Sequence, residues 1–185
     1  FSNNLKIIGK QINQIENLVN EFSDFARMPK PILKNNNLTQ IIEENIKLLR
    51  ELDNEIELNF TTLNNNIILN SDSEQLSRVF FNLIKNSIES IEEKKQSNPN
   101  FKGKIDVELR ENDAYISFVI KDNGVGFKVF QNKIKDILSP YFTTKKKGTG
   151  LGLSIVNKII NDHQGSLKFN SLDNGAEIKI RFNKQ

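Results

Sequence analysis

"FFNLIKNSIES", residues Phe80 to Ser90, places two carboxamides, Asn82 and Asn86, one helical turn apart. At about 100° per residue, Gln75, Arg78, Asn82, Lys85, Asn86, Glu89 and Glu93 share one side of a helix. Leu76, Phe80, Leu83, Ile84, Ile88 and Ile91 share the other. This is an amphipathic helix, and its polar stripe is ordinarily just solvated. Immediately upstream, "SDSEQL" reads as a helix start: Ser71 with Glu74 three residues on predicts a capping box, and Asp72 suits the positive end of the helix dipole.

The chain has 185 residues, 37% hydrophobic and 26% charged, enough for one good core plus an appendage. No apolar run approaches the roughly 18 residues of a membrane span and no basic-then-apolar leader opens the chain, so neither a span nor a signal peptide is expected. The absence of cysteine excludes disulfides, thiolate metal sites and a cysteine nucleophile, and fits a reducing cytoplasm. Net charge is only +3, with lysines scattered among 23 acidic residues. Lys145-Lys146-Lys147 is the one basic cluster; it is too short for a nucleic-acid patch and suits a compact anionic ligand.

Before the central helix, Leu5, Ile8, Ile12, Ile15, Leu18 or Val19, Phe22 and Phe25 make a helical seam through about residue 27. "RMPKP" stops it, because Pro29 and Pro31 lack N–H donors and disfavour helix just before them. A short extended piece near Ile32 and Leu33 follows, then a helix from Leu38 to Leu52 and strands from Ile56 to Thr62 and Ile67 to Leu69. After the central helix, "KIDVELRE" and "AYISFVIKD" alternate as strands joined tightly at Asn112-Asp113. From Asp122 to Lys147 loop residues dominate, with a helical turn expected at Lys133 to Leu138. A helix from about Gly150 to Asp162 and the strands "GSLKFNS" and "GAEIKIRF" complete the chain. Helices segregated against a mostly antiparallel sheet define an α+β, two-layer sandwich.

No G-x-x-x-x-G-K-[ST] phosphate loop occurs, and "GVGFKV" fails as G-x-G-x-x-G because Val129 occupies the last position. Two other glycine segments stand out. In "KDNGVGF", Gly124 and Gly126 follow a strand ending in Asp122, so backbone can approach a flat ligand while one carboxylate accepts a hydrogen bond; taken alone, a tight turn is the default explanation of the glycines. In "KGTGLGLSI", Gly148, Gly150 and Gly152 lead into an apolar helix, where backbone amides can face an anion or glycines can simply permit close packing. Between them "SPYFTTKKK" offers two hydroxyls and three ammonium groups, a donor array suited to phosphate oxygens or a solvated loop.

In order, "FFNLIKNSIES", "DNGVGF", "SPYFTTK" and "GTGLGLSIV" resemble the N box, first glycine box, F box and second glycine box of sensor histidine kinases, within the ATPase superfamily shared with gyrase, MutL and heat-shock chaperones. The resemblance runs from about Leu38 to Phe182. "EFSDFARMPKP" is similar to the end of the second dimerisation helix in NtrY-like nitrogen-regulation kinases. It implies a Bergerat ATP-binding fold at 30–185, preceded at 1–29 by part of a dimerisation and histidine-phosphotransfer hairpin.

The resemblance also assigns roles. Asn86 is implied as the Mg2+ ligand, through its carboxamide oxygen. Asn82 stands where gyrase-like hydrolases carry a glutamate; an amide orients but cannot act as general base, which favours transfer to a protein acceptor over hydrolysis, although Glu89 shares the face. Asp122 is assigned to the adenine amino group, with Gly124 and Gly126 beside the base. Phe142, Thr143, Thr144 and Lys145 would form a lid over the phosphates. Gly148, Thr149, Gly150, Leu151 and Gly152 would supply its hinge and the helix-start donors. Lys85, Lys145 and Lys147 are each able to reach phosphate, and sequence does not rank them.

The implied activity is transfer of the ATP γ-phosphate to a histidine on a dimerisation hairpin, then to an aspartate of an NtrX-like response regulator. The implied parent protein is membrane-anchored and homodimeric, with this piece on the cytoplasmic side. The one histidine, His163, falls at the end of the last helix, away from the γ-phosphate in the family, so a structural or surface role is expected, with a protonated ring favouring the helix C-terminus. The exposed Ile and Phe seam is expected to pair with another copy or fold back on the catalytic domain. An ATP-gated clamp or hydrolase, an anti-sigma-type serine kinase and a non-enzymatic nucleotide module are the alternatives.

Overall fold

The computed structural model describes residues 8–9, 11–12, 15–16, 19–20, 22–23, 26–52, 55–127, 138–139 and 149–184. Leu5, Leu18 and Phe25 of the seam, most of the expected turn at Lys133 to Leu138, and Phe142, Thr143, Thr144, Lys145, Lys147 and Gly148 lie outside the described residues.

Strand β1 (Lys34–Asn37) leads directly into helix α1 (Leu38–Leu52), whose start is capped by the Asn37 side chain accepting from Thr39 N at 3.0 Å. Strands β2 (Glu57–Thr62) and β3 (Ile68–Ser71) precede the long helix α2 (Ser73–Ser97). Strands β4 (Lys104–Glu111) and β5 (Tyr115–Asp122) form the expected hairpin, with Asn112 Oδ1 accepting from Ala114 N and Tyr115 N at 2.9 Å each. Helix α3 (Gly152–Asp162), β6 (Gly165–Ser171) and β7 (Ala176–Asn183) follow. The main sheet runs β2-β4-β5-β7-β6, with β2 parallel to β4 and the other pairs antiparallel.

Three expectations shift. The extended piece begins at Lys34 and not at Ile32 and Leu33, which are 70% and 45% exposed; it pairs with β3 in a separate two-stranded sheet. The capping box is not formed, because Ser71 belongs to β3 and turns its hydroxyl to Leu69 O. The cap is Asp72, which accepts from Gln75 N at 3.1 Å. A carboxylate there serves both the orphan amides and the dipole.

The apolar face of α2 packs on the sheet as the periodicity requires. Leu76, Phe80, Leu83, Ile84 and Ile91 are fully buried, each apolar side chain contributing about 1.5–3 kcal/mol, while Ile88 is half-buried. The Phe80 ring meets Phe118 of β5 at 4.8 Å. This contact registers α2 over the central strand. The opposite stripe departs from a solvated face: Gln75, Arg78, Asn82, Asn86 and Glu89 are half-buried, and only Lys85 and Glu93 are exposed. Before the prolines, Ile8, Ile12, Ile15, Val19 and Phe22 are helical and 47–61% exposed.

Candidate nucleotide site

Strand β5 lies third in the five-stranded order, flanked by β4 and β7, so its last residue, Asp122, ends in the interior at 8% exposure. A carboxylate there must be hydrogen-bonded. Its Oδ1 accepts from Gly124 N at 2.9 Å and its Oδ2 from Ser87 Oγ of α2 at 3.2 Å. Burial pushes the carboxyl up from the ordinary aspartate range, although the Gly124 amide, the Ser87 hydroxyl, the Ala176 amide and the Lys94 ammonium pull it down. A carboxylate offers about four acceptor positions. The hydrogen bonds from Gly124 and Ser87 leave room for a further donor, which is what an exocyclic amino group requires.

Ser87 was not among the residues picked out by sequence. It had a signal: it sits between Leu83 and Ile91 at steps of four, a hydroxyl in an otherwise apolar row, which burial obliges to find a partner. Asn86 is its chain neighbour and therefore points about 100° away around α2, with Asn82 one turn earlier on the same stripe as Asn86. The geometry thus brings Asp122, Gly124 and Ser87 into direct contact and sets the Asn pair on the adjoining stripe. Lys85 is exposed and stands 3.9 Å from Glu89, which shares the stripe.

The glycines of "KDNGVGF" are explained by the protein itself. A Cβ on Gly124 would overlap Ser90 Oγ and approach the Ser90 carbonyl carbon at 2.7 Å and Ile91 N at 2.9 Å, so this loop lies directly on the backbone of α2. Gly126, at φ 68°, abuts Gly175 O of the β6–β7 turn. The space a Cβ would take at these two glycines is occupied by α2 and the turn, so the protein's own packing accounts for the missing side chains. Lys94 and Ser90, also unforeseen, fasten the loop. Lys94 Nζ donates to Asn123 O at 2.6 Å and Gly124 O at 3.1 Å while lying over the Phe101 ring at 4.4 Å. Val125 N donates to Ser90 Oγ at 3.1 Å.

The second glycine segment behaves oppositely. Gly150 takes φ 72°, which a side chain would oppose, but among the described residues a Cβ on Gly152 meets nothing within 4 Å. Close packing does not account for Gly152. Helix α3 starts at Leu151 with no side-chain cap and no acidic residue in its first turn. Leu151 itself is fully buried and donates weakly to Thr149 Oγ1 at 3.4 Å. An uncapped helix start without a nearby carboxylate is the electrostatic setting that favours an anion.

His163, at the C-cap of α3, is structural. Its Nδ1 lies 2.8 Å from Ile159 O and its Nε2 accepts from Asp72 N at 3.0 Å, an arrangement that uses the neutral Nδ1–H tautomer and not the protonated ring expected at a helix C-terminus. A separate cleft of about 520 Å³, lined by Glu43, Ile46, Lys47, Arg50, Glu51 and Phe60, lies where α1 meets β2 and contains none of the expected residues. Among the described residues there is no cluster of three His, Cys, Asp or Glu able to hold a metal, and no helix long and apolar enough to cross a membrane.

Residues 71–185 match the family described as Histidine kinase-, DNA gyrase B-, and HSP90-like ATPase. A sensor histidine kinase NtrY-like protein of Rickettsia bellii is 36% identical over 184 residues, 99% of this chain and 29% of the relative. Nitrogen regulation protein NtrY of Azorhizobium caulinodans is 33% identical over 174 residues, 93% of this chain and 22% of the relative. The chain thus spans less than a third of the length of these relatives. The catalytic domain of histidine kinase ThkA superposes with a TM-score of 0.70 at 28% identity, covering 82% of this chain and 95% of that one. ThkA in complex with response regulator protein TrrA gives 0.74 at 24% identity, covering 97% of this chain and 50% of that one, a likeness of fold.

Proposed function

The chain belongs to the histidine kinase-, DNA gyrase B- and HSP90-like ATPase family, and we propose that it is the ATP-binding catalytic part of an NtrY-like sensor kinase, with part of a dimerisation helix at 1–29 and the catalytic domain at 30–185. The observation that carries this reading is Asp122: a buried carboxylate at the end of a central strand, pushed toward protonation, held by Gly124 and Ser87, with an acceptor position to spare. An adenine amino group satisfies that position. Asn86, on the stripe beside Ser87, offers a carboxamide oxygen to Mg2+, which when bound draws charge from the phosphate oxygens.

The chain's own residues then position and screen. Asp122 orients the base, and the uncapped start of α3 at Gly150, Leu151 and Gly152, with Thr149 beside it, faces its amides to phosphate. Phe142, Thr143, Thr144, Lys145 and Gly148 complete the enclosure as a lid and hinge in this proposal, with Lys85 and Lys147 as further cationic groups. Correct alignment of donor and acceptor supplies about 7–11 kcal/mol of barrier lowering in well-oriented reactions. Asn82 cannot take a proton at neutral pH, so water is not activated from that position. The acceptor is a histidine on a dimerisation hairpin, and the final acceptor an aspartate of an NtrX-like response regulator. The parent is a membrane-anchored homodimer with this portion in the cytoplasm.

The test is to mix this chain with a separate histidine-bearing hairpin and labelled ATP. Acid-labile label on the hairpin supports the proposal; acid-stable label, or none, counts against it. Glu89, half-buried on the Asn stripe, sustains the hydrolase reading. Steady phosphate release without an acceptor, abolished by Glu89→Gln, would replace the kinase assignment.

A further inference from the structure

Capping α2 needs one oxygen of Asp72, and Oδ1 serves by accepting from Gln75 N. The second oxygen, Oδ2, accepts from Ile32 N at 2.9 Å, a residue 40 positions away in the linker between the N-terminal helix and β1. Gln75, on the first turn of α2, reaches the same linker: its Nε2 donates to Pro29 O at 3.1 Å. Its Oε1 is buried with no partner among the described residues, so this amide is held by what it donates and not by full satisfaction. Met28 packs against the core just before these bonds. Pro29 and Pro31, with φ fixed by their rings, stiffen the stretch between. Four consecutive residues, 29–32, are therefore pinned at both ends and rigid within.

The anchor does not stop at the linker. The Asp72 amide donates to His163 Nε2, and His163 caps α3 through Ile159 O. One residue joins the linker, the start of α2 and the end of α3. These are the two helices that bear the Asn pair and the second glycine segment.

We infer that Asp72 and Gln75 are positioning residues: they clasp the linker and fix the direction in which the N-terminal helix leaves the ATP-binding domain. Resting on the function proposed above, the clasp sets how an acceptor hairpin is presented to the nucleotide. Without the clasp, rotation about the linker bonds that the proline rings do not fix would leave that direction undefined.

Two near-isosteric variants separate the clasp from simple folding. In Asp72→Asn the amide oxygen still caps Gln75 N, asparagine being a favoured capping residue, but the NH2 now confronts Ile32 N–H. In Gln75→Glu the cap is untouched and the donor to Pro29 O is gone. The chain has no cysteine, so nitroxides at Glu16→Cys and Lys168→Cys, both exposed positions, report the helix direction uniquely. Wild type should give a narrow spin–spin distance distribution and slowed exchange of the Ile32 amide by 15N NMR. Each variant should broaden the distribution at least about twofold, and Asp72→Asn should speed Ile32 exchange about tenfold, with calorimetric affinity for Mg-AMP-PNP kept within about twofold. An unchanged distribution in both variants, or an Ile32 amide exchanging at the free-peptide rate in wild type, would overturn the clasp. Failure of wild type to bind Mg-AMP-PNP would instead overturn the proposed function, leaving exchange and distances to judge the clasp.

Discussion

Replacing Gly124 with alanine should be far more damaging than the same change at Gly152, although both glycines stand in the motifs that suggest a nucleotide. The Gly124 Cβ would lie 2.7 Å from the Ser90 carbonyl carbon, against the backbone of α2 beside the fully buried Ile91. Reaching an ordinary contact of about 3.5 Å requires the loop to retreat by roughly 0.8 Å. Overpacking of this kind costs about 1–3 kcal/mol. The retreat also stretches the bonds from Val125 N to Ser90 Oγ and Ser90 O, now 3.1 and 3.3 Å, each contributing about 0.5–1.5 kcal/mol. The sum predicts a loss of about 2–6 kcal/mol in urea unfolding, or roughly 4–24 °C in Tm for a chain of this size. Gly152→Ala meets open space and should stay within about 0.5 kcal/mol of wild type. A wild-type unfolding midpoint for Gly124→Ala, or greater damage from Gly152→Ala, would refute the reasoning.

Asp122 is held above its ordinary range chiefly by burial, so between its unfolded and folded pKa values the native state carries more protons and stability falls as pH rises. Asp122→Asn should therefore gain stability over wild type at neutral pH, lose that advantage below about pH 3.9, and lose nucleotide affinity; urea titrations at both pH values and calorimetry check this. Asp72 runs the other way: burial would raise its carboxyl, but the amides of Ile32, Gln75 and Glu74 outweigh it and hold it below the usual range. Its contribution is complete above the unfolded pKa and disappears as pH falls through the lower folded value, so the stability gap between wild type and Asp72→Asn should close on acidification. Ser87→Ala should cost about 1 kcal/mol in unfolding and weaken nucleotide binding, since Asp122 Oδ2 loses its donor from α2. Asn82→Glu should raise phosphate release in the absence of any acceptor, measured by steady-state assay; an unchanged rate would count against the role given to this position.

The helices were legible because their apolar rows are long and regular: α1 was placed at its observed ends, and five of the six residues assigned to the apolar face of α2 are fully buried. Boundaries were less so. The capping residue moved from Ser71 to Asp72 because local spacing cannot show that Ser71 is committed to a strand with Lys34 opposite. The site was legible in its outline and opaque in its fastening. Asp122 and the Asn pair follow from motif spacing, whereas Lys94 and Ser90 act through the backbone of a loop about 30 residues on, which no periodicity reveals. Gly124 shows the same limit. Its need for a missing Cβ was evident, but only the packing identifies α2 as what fills the space.

The most direct test of the account is calorimetric titration of this chain with Mg-AMP-PNP, beside Asn86→Ala and Asp122→Ala. The account predicts a single site in wild type, at least about a tenfold loss in Asp122→Ala with or without magnesium, and a loss in Asn86→Ala confined to the magnesium-containing titration. No heat from wild type, or equal affinity in all three proteins, would contradict it.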